Sequence, residues 1–365
     1  MSKIRDLHNQ AMLLAQDAVV ARHGGELERA ELIAREAMSL EAEAADCIAI
    51  GTENEPTRSI LYRSAASLAL QAKEFDLAQR LIARGLSGYA PVEIESELKA
   101  LYEQLNFERH LKTSDLEISD EEATLTVLGK AVMHGSVLAD VFMKTLQTFM
   151  TLFDRTQARM NKSPYKPGAI KKQNRPLKLV LSEGRASSYS VTLKATTVIR
   201  GHEQLGLWSI KPADVFDQVI VGIDLINHSD DEGLKKQIAD KTYYNNFRYL
   251  TRNLAPDGEK INFVGIATPR RSVGLTLPKN KIQIETTKTP DRDTEPVTVR
   301  GVLDYARSKR QDIIGLTDEE GTEHLIKVQE GMDDVVRSYF KQLVQVNGLR
   351  KGKYIIAEDI DGLDE

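Results

Sequence analysis

TRSILYRSAASLALQAKEFDLAQRLIARGLSGYAPVEIESELKALYEQLN, residues 57–106, decides how the chain folds. Apolar side chains recur at Ile60, Leu61, Ala65, Leu68, Ala69 and Ala72, then at Leu77, Ala78, Leu81, Ile82 and Leu86, and again at Ile94, Leu98, Leu101 and Leu105. Spacings of three, four and seven place them on one stripe of each of three helices. Turns fall at Lys73-Glu74-Phe75-Asp76 and at Ser87-Gly88-Tyr89, the second followed by Pro91. The small alanines let antiparallel helices approach closely. Asp76 is the expected N-cap of the middle helix, with Gln79 as its capping-box partner.

Upstream, a helix from Ser2 to Arg22 stops at His23-Gly24-Gly25, where glycine supplies the turn. A second, from about Glu26 to Ala49, carries Leu27, Ala30, Ile33, Ala34 and Ala37 on one side. The pair forms a helical hairpin ahead of the break at Gly51 to Pro56. Both hairpins resemble tetratricopeptide repeats over about residues 10–91. The resemblance rests on Tyr62, Ala65, Ala66, Ala69, Ala78, Ile82 and Pro91 in the second, and on Leu14, Ala18, Ala21, Ala30, Ala34 and Ala37 in the first. The hairpins are spaced more widely than that family's repeats of ~34 residues, and Gly85 stands where an alanine is expected. The resemblance implies a stack, capped by the helix from Pro91 to about His110, with a groove for a peptide or partner helix. Tyr62, Arg63, Arg80 and Arg84 are its expected contacts. A plain bundle supporting the next domain is the alternative.

Downstream the period changes. Thr124–Leu128 reads as a strand and Val137 to Met160 as a helix. Leu177, Leu179 and Leu181 alternate with polar neighbours, as do Tyr189, Val191 and Leu193 beyond a turn at 185–187, so the two runs predict a hairpin with one buried face. Pro212 opens a helix through Ile226, and Tyr243 to Leu254 is another. Ile261–Thr268 and Ser272–Leu277 complete an antiparallel sheet with helices on it. ETTKTPDRDTEP, residues 285–296, reads as a linker. Five short strands follow, at Val297–Leu303, Ile313–Thr317, His324–Val328, Leu343–Val346 and Tyr354–Ala357, with a helix from Met332 to Phe340 before the last two. That layout resembles a small barrel of the SH3 or oligonucleotide-binding class. The expected fold class is thus multidomain α+β: a tetratricopeptide-like helical domain (1–112), a central α+β domain with an antiparallel sheet (115–284), the linker, and a small β-barrel (297–365).

Composition narrows the function classes. One cysteine, Cys47, excludes an intrachain disulfide and a four-cysteine zinc site. MSKIRDLHNQ has no apolar core of a secretory signal, and no apolar run approaches ~18 residues, so a cytoplasmic protein with no membrane partner is expected. Residues 1–106 hold 11 basic and 17 acidic side chains, a balance of −6; residues 107–295 hold 28 and 23, a balance of +5; residues 296–365 hold 10 and 14, a balance of −4. An anionic partner therefore favours the middle.

There, RTQARMNKSPYKPGAIKKQNRPLK (155–178) has eight basic residues and no acidic one. Arg155, Arg159, Lys162, Lys166, Lys171, Lys172, Arg175 and Lys178 are candidate phosphate contacts, and Tyr165 a base-stacking residue. A solvated connection with cations at a helix C-terminus accounts for the same stretch. Arg350-Lys351-Gly352-Lys353 is a basic hairpin tip facing nucleic acid or a carboxylate-bearing partner, or a plain turn shaped by Gly352; Tyr305, Tyr339, Phe340 and Tyr354 are not clustered as an RNA surface would have them, which counts against nucleic acid there. Histidines at 8, 23, 110, 134, 202, 228 and 324 are scattered without metal-ligand spacing, and His228-Ser-Asp230-Asp231 reads as capping before Gly233. No nucleophile elbow, phosphate loop or dinucleotide fingerprint occurs. Neither a cofactor nor a catalytic or metal-binding residue is therefore expected. In layout the chain resembles uncharacterised bacterial cytoplasmic proteins, some of phage-defence or toxin–antitoxin loci. The function expected is a non-enzymatic adaptor or regulator holding a protein partner through its helical domain. Nucleic-acid binding through 155–178 is the alternative, and an unrecognised enzyme such as a nuclease the second.

Overall fold

A computed structural model describes every residue except 1, 24–25, 114–118, 130–131, 134–135, 169, 171–173, 186–188, 198–209, 276, 283–293, 307–312 and 364–365. The chain forms two compact units, Met1–Leu116 and Glu117–Glu365. The first part of the expected linker, 285–293, and the turn at 186–187 lie outside the described residues.

The first unit is helical: α1 (Ser2–His23), α2 (Leu27–Asp46), α3 (Thr57–Gln71), α4 (Phe75–Leu86) and α5 (Val92–Thr113). Each helix packs on the next, and α5 also reaches back to α3. The core is the alanine-lined stripe read from the sequence: Ala37, Ala65, Ala66, Ala69 and Ala78 lie among Leu61, Leu81, Ile82, Leu98 and Leu105. Small side chains bring helix axes close enough for the leucines to interlock. Gly85 belongs to the same device. A Cβ there would lie 2.8 Å from Leu98 Cδ1 and 3.2 Å from Tyr62 Cβ, so an alanine would push α4 away from α3 and α5.

The capping expectation for α4 is corrected. The helix starts at Phe75, two residues earlier than an Asp76 cap implies, so Glu74 is the N-cap and no side chain caps the helix there. Asp76 Oδ1 and Gln79 Oε1 instead accept hydrogen bonds from the Arg109 guanidinium of α5, at 2.7 and 2.6 Å. A spacing of three suits a capping box and also a two-pronged grip on one arginine from a neighbouring helix.

In the second unit, β1 (Glu122–Leu128), a small β2–β3 hairpin (Val132–Met133, Ser136–Val137), α6 (Ala139–Met160), β4 (Leu177–Arg185), β5 (Tyr189–Thr197), α7 (Pro212–Asn227), α8 (Asp231–Gln237), α9 (Lys241–Leu254), β6 (Phe263–Ala267) and β7 (Ser272–Leu275) precede the barrel. The main sheet runs β4-β5-β1-β6-β7, antiparallel throughout. Leu125 pairs with Val191 on one side and Ile266 on the other, all buried. On edge strand β4 the expected alternation fails. Leu177 is buried, but Leu181, in register opposite the buried Leu193, is 57% exposed, so the covering of this face ends along the edge strand.

β8 (Glu295–Ala306), β9 (Ile313–Thr317), β10 (Glu323–Lys327), α10 (Asp333–Ser338), β11 (Leu343–Lys351) and β12 (Tyr354–Gly362) build the barrel. It closes in the order β10-β12-β11-β8-β9, with β10 parallel to β12 and the other pairs antiparallel. Closure removes the sheet edges. Its interior residues, among them Leu316, Ile326, Val344, Val346 and Ala357, join one continuous core with those of the sheet and helices.

Candidate functional site

Arg155 lies on α6 facing inward, because Leu152 and Phe153 before it and Ala158 after it bury the same side of that helix. Its guanidinium forks onto Asp334 of α10, with Nε to Oδ2 at 2.6 Å and Nη2 to Oδ1 at 2.8 Å, and reaches Asp333 at 3.2 Å. The remaining donors hold the carbonyls of Lys166 and Gly168 at 2.9 and 3.0 Å. Tyr165 lays its ring 4.4 Å from the guanidinium carbon and donates to Asp333 Oδ1 at 2.5 Å. Asn246 of α9 donates to Asp334 Oδ2 and to the Gly331 carbonyl. Burial disfavours the Arg155 charge, but the Asp334 and Asp333 carboxylates outweigh it and hold the group protonated above its ordinary range. Burial, with the same two carboxylates, pushes the Tyr165 hydroxyl upward.

The other candidates of 155–178 divide into two sets. Arg159 donates to the Gln237 carbonyl at 2.7 Å and to Gln218 at 3.1 Å, with burial lowering its pKa. Arg175 pairs with Asp154 at 2.9 Å. These two and Arg155 are therefore engaged inside the unit. Lys162, Lys166 and Lys178 are exposed. Lys171 and Lys172 lie outside the described residues. Tyr165, read as a stacking residue, is committed to Arg155 and Asp333.

In the helical unit, Tyr62 is buried at 4% exposure and donates to Asp46 Oδ1 at 2.6 Å, and Arg84 grips the same carboxylate at 3.0 Å. Arg63 pairs with Glu97 of α5 at 3.0 Å. Arg80 is exposed on α4. Asp46 thus brings Tyr62 and Arg84 together, while Arg63 and Arg80 stand apart from them. Along α3, Thr57 is exposed and Ile60, Arg63, Ser64, Ser67 and Gln71 stay partly open, a single helical stripe. Glu41 of α2 is fully buried and paired with His8 at 2.9 Å; burial pushes its carboxyl above the usual range, against the opposing pull of His8, Arg63 and Ser64.

A second buried polar cluster was not foreseen. Arg252 of α9 pairs with Asp359 of β12 at 2.6 Å, Lys279 binds Asp361, and the Tyr339 hydroxyl donates to Asn253 at 2.8 Å. Asp359 is pushed up to about 6, by burial first and then by the Asp361 carboxylate. Burial would raise Asp361 too, yet Lys279 prevails and keeps it below the usual range. Its sequence signal was only two aspartates two apart on a strand, hence on one face. The cavity beside Arg252, Lys279 and Asp359 holds about 10 Å³, as does one beside Arg155, Arg159 and Tyr243. That is room for about one water, so neither cluster is open to an organic substrate. Asp230 caps α8 through the Gly233 amide at 2.9 Å, as read, and Asp231 binds Arg248. Among the described residues no three His, Cys, Asp or Glu side chains gather as metal donors, and no helix is long and apolar enough to cross a membrane.

Compared with family profiles, with curated protein sequences and with solved structures, the chain finds no match in any of the three.

Proposed function

We propose that the protein is a non-enzymatic adaptor that holds a segment of a protein partner on its helical unit. The stripe Ile60, Arg63, Ser64 and Ser67 carries this reading. α3 is the innermost helix, and between its exposed first residue Thr57 and its partly open last residue Gln71 the reachable side chains are one apolar, one cationic and two small hydroxyl groups. Two serines make a shallow floor, Ile60 offers apolar contact, and Arg63, paired with Glu97 at 3.0 Å in the free chain, would exchange that carboxylate for one of the partner's. A tetratricopeptide-like stack would present its groove along such a line. Arg80 lies on another helix, and Tyr62 serves the interior.

Affinity capture with the full chain, followed by titration of the purified partner, tests the reading. Arg63→Glu and Ser67→Tyr should each weaken binding at least ten-fold while Arg80→Glu leaves it within two-fold, an effect of about 1.4 kcal/mol or more at the stripe. Equal binding by all three variants would reject it.

A further inference from the structure

We propose that the free edge of β4 pairs with β4 of a second copy of the chain, antiparallel about Val180. The sheet decides which backbone groups face out. The Ala195 amide of β5 donates to the Glu121 carbonyl at 2.8 Å, on the β1 side, so the alternate residues Lys194 and Thr196 bond β4 at Val180 and Lys178. Leu177, Leu179 and Leu181 therefore turn their amides and carbonyls to the open side. Side-chain amides partly close both edges of the sheet. On β7, Asn227 donates to the Gly274 carbonyl at 2.7 Å. On β4, the buried Gln157 accepts from the Leu177 amide at 3.0 Å and donates to its carbonyl at 3.2 Å, as a neighbouring strand would. Among the described residues no hydrogen bond reaches the outward amide or carbonyl of Leu179 or Leu181. The strip ends at the register irregularity beyond Leu181.

An unpaired edge calls for another extended backbone, and this strip is complementary to itself. About a two-fold axis at Val180, Leu179 lies opposite Leu181 of the second copy, and Leu181 opposite its Leu179. Each residue offers one amide and one carbonyl, so the free groups of both copies are used up with none left over. An axis at Leu179 would instead set Leu181 against Leu177, whose backbone Gln157 already holds. An axis at Leu181 would set Leu179 against the irregular stretch. The side chains favour the same register. Val180, 44% exposed, meets its counterpart at an unbonded position, where Cα atoms come within about 4.5 Å. Exposed Leu181 covers half-buried Leu179, so the leucine face continues across the seam. The two Lys178 residues stand roughly 14 Å apart along the strands, too far to oppose each other. Three apolar residues a side fall short of the ~800 Å² per partner of a standard interface, so the dimer forms only at high protein concentration. This edge lies in the second unit and owes nothing to the helical stripe, so it stands or falls independently of the adaptor reading.

Disulfide trapping and sedimentation equilibrium of the full chain test the dimer, the trapping arm carrying Cys47→Ser to remove the one native thiol. Val180→Cys should oxidise to a covalent dimer at least ten-fold faster than Lys178→Cys, which is also exposed but lies beyond the ~7 Å Cα reach of a disulfide. In sedimentation, the mean mass of the parent chain should rise with concentration toward that of two chains. Leu181→Pro should abolish the rise. Its lost amide faces the open side, so the β4–β5 ladder survives, as unchanged melting would show. Should that variant not fold, Leu181→Lys sets a charge in the same seam with the same expected effect. The proposal is overturned by equal trapping at the two cysteines, by a mass that stays at one chain up to millimolar concentration, or by a rise that persists in folded Leu181→Pro or Leu181→Lys.

Discussion

Arg155 shows how a residue type suited to phosphate binding is used for something else. At 4% exposure it forks onto Asp334 and ties α6, α9 and α10 together. Removing one partner of such a pair strands the other charge, at a cost of about 3–5 kcal/mol. Urea unfolding should show a loss of that size for Arg155→Ala, and a smaller one for Arg155→Met combined with Asp334→Leu. Asp359 acts on stability through pH. Its carboxyl titrates near pH 6 in the folded chain, against about 3.9 when unfolded. Between these values the folded chain holds the extra proton, so this group's contribution is full below about pH 4 and is lost as pH rises through about 6. Urea midpoints measured at several pH values should show Asp359→Asn gaining on the parent chain as pH rises through that window. A constant gap would contradict the assignment.

At the scale of the elements, α4 shows where a helix can be improved and where it cannot. Its N-cap is Glu74, with no side-chain hydrogen bond to the first turn. Glu74→Ser should therefore stabilise the helical unit by up to about 1 kcal/mol, measured by thermal unfolding, since serine reaches the free amides. Gly85→Ala should cost about 1–3 kcal/mol in the same experiment, because its methyl meets Leu98 and Tyr62. Helices and strands were legible wherever one period ruled a segment. The spacing of Val215, Val219, Ile223 and Ile226 marked α7, and the alternation at Val344 and Val346 marked β11. What escaped was set by distant partners. Asp76 and Gln79 turned toward Arg109, Leu181 was left uncovered at the edge of the sheet, and Asp333 with Asp334 drew Arg155 inward. The charge of a side chain is written in the sequence, but not which charge 179 residues away will neutralise it.

For the molecule as a whole, the two units divide the work in this account. The helical unit keeps one stripe of its innermost helix open, and the second unit spends most of its buried cations on its own architecture. Arg155, Arg159, Arg175, Arg248 and Arg252 all find partners within it. The adaptor reading is tested most directly by titration calorimetry of the captured partner against the parent chain and Ser67→Tyr, with circular dichroism establishing that the variant is folded. Saturable binding by the parent chain and a loss of at least ten-fold in the folded variant are expected. Undiminished binding by Ser67→Tyr would contradict it.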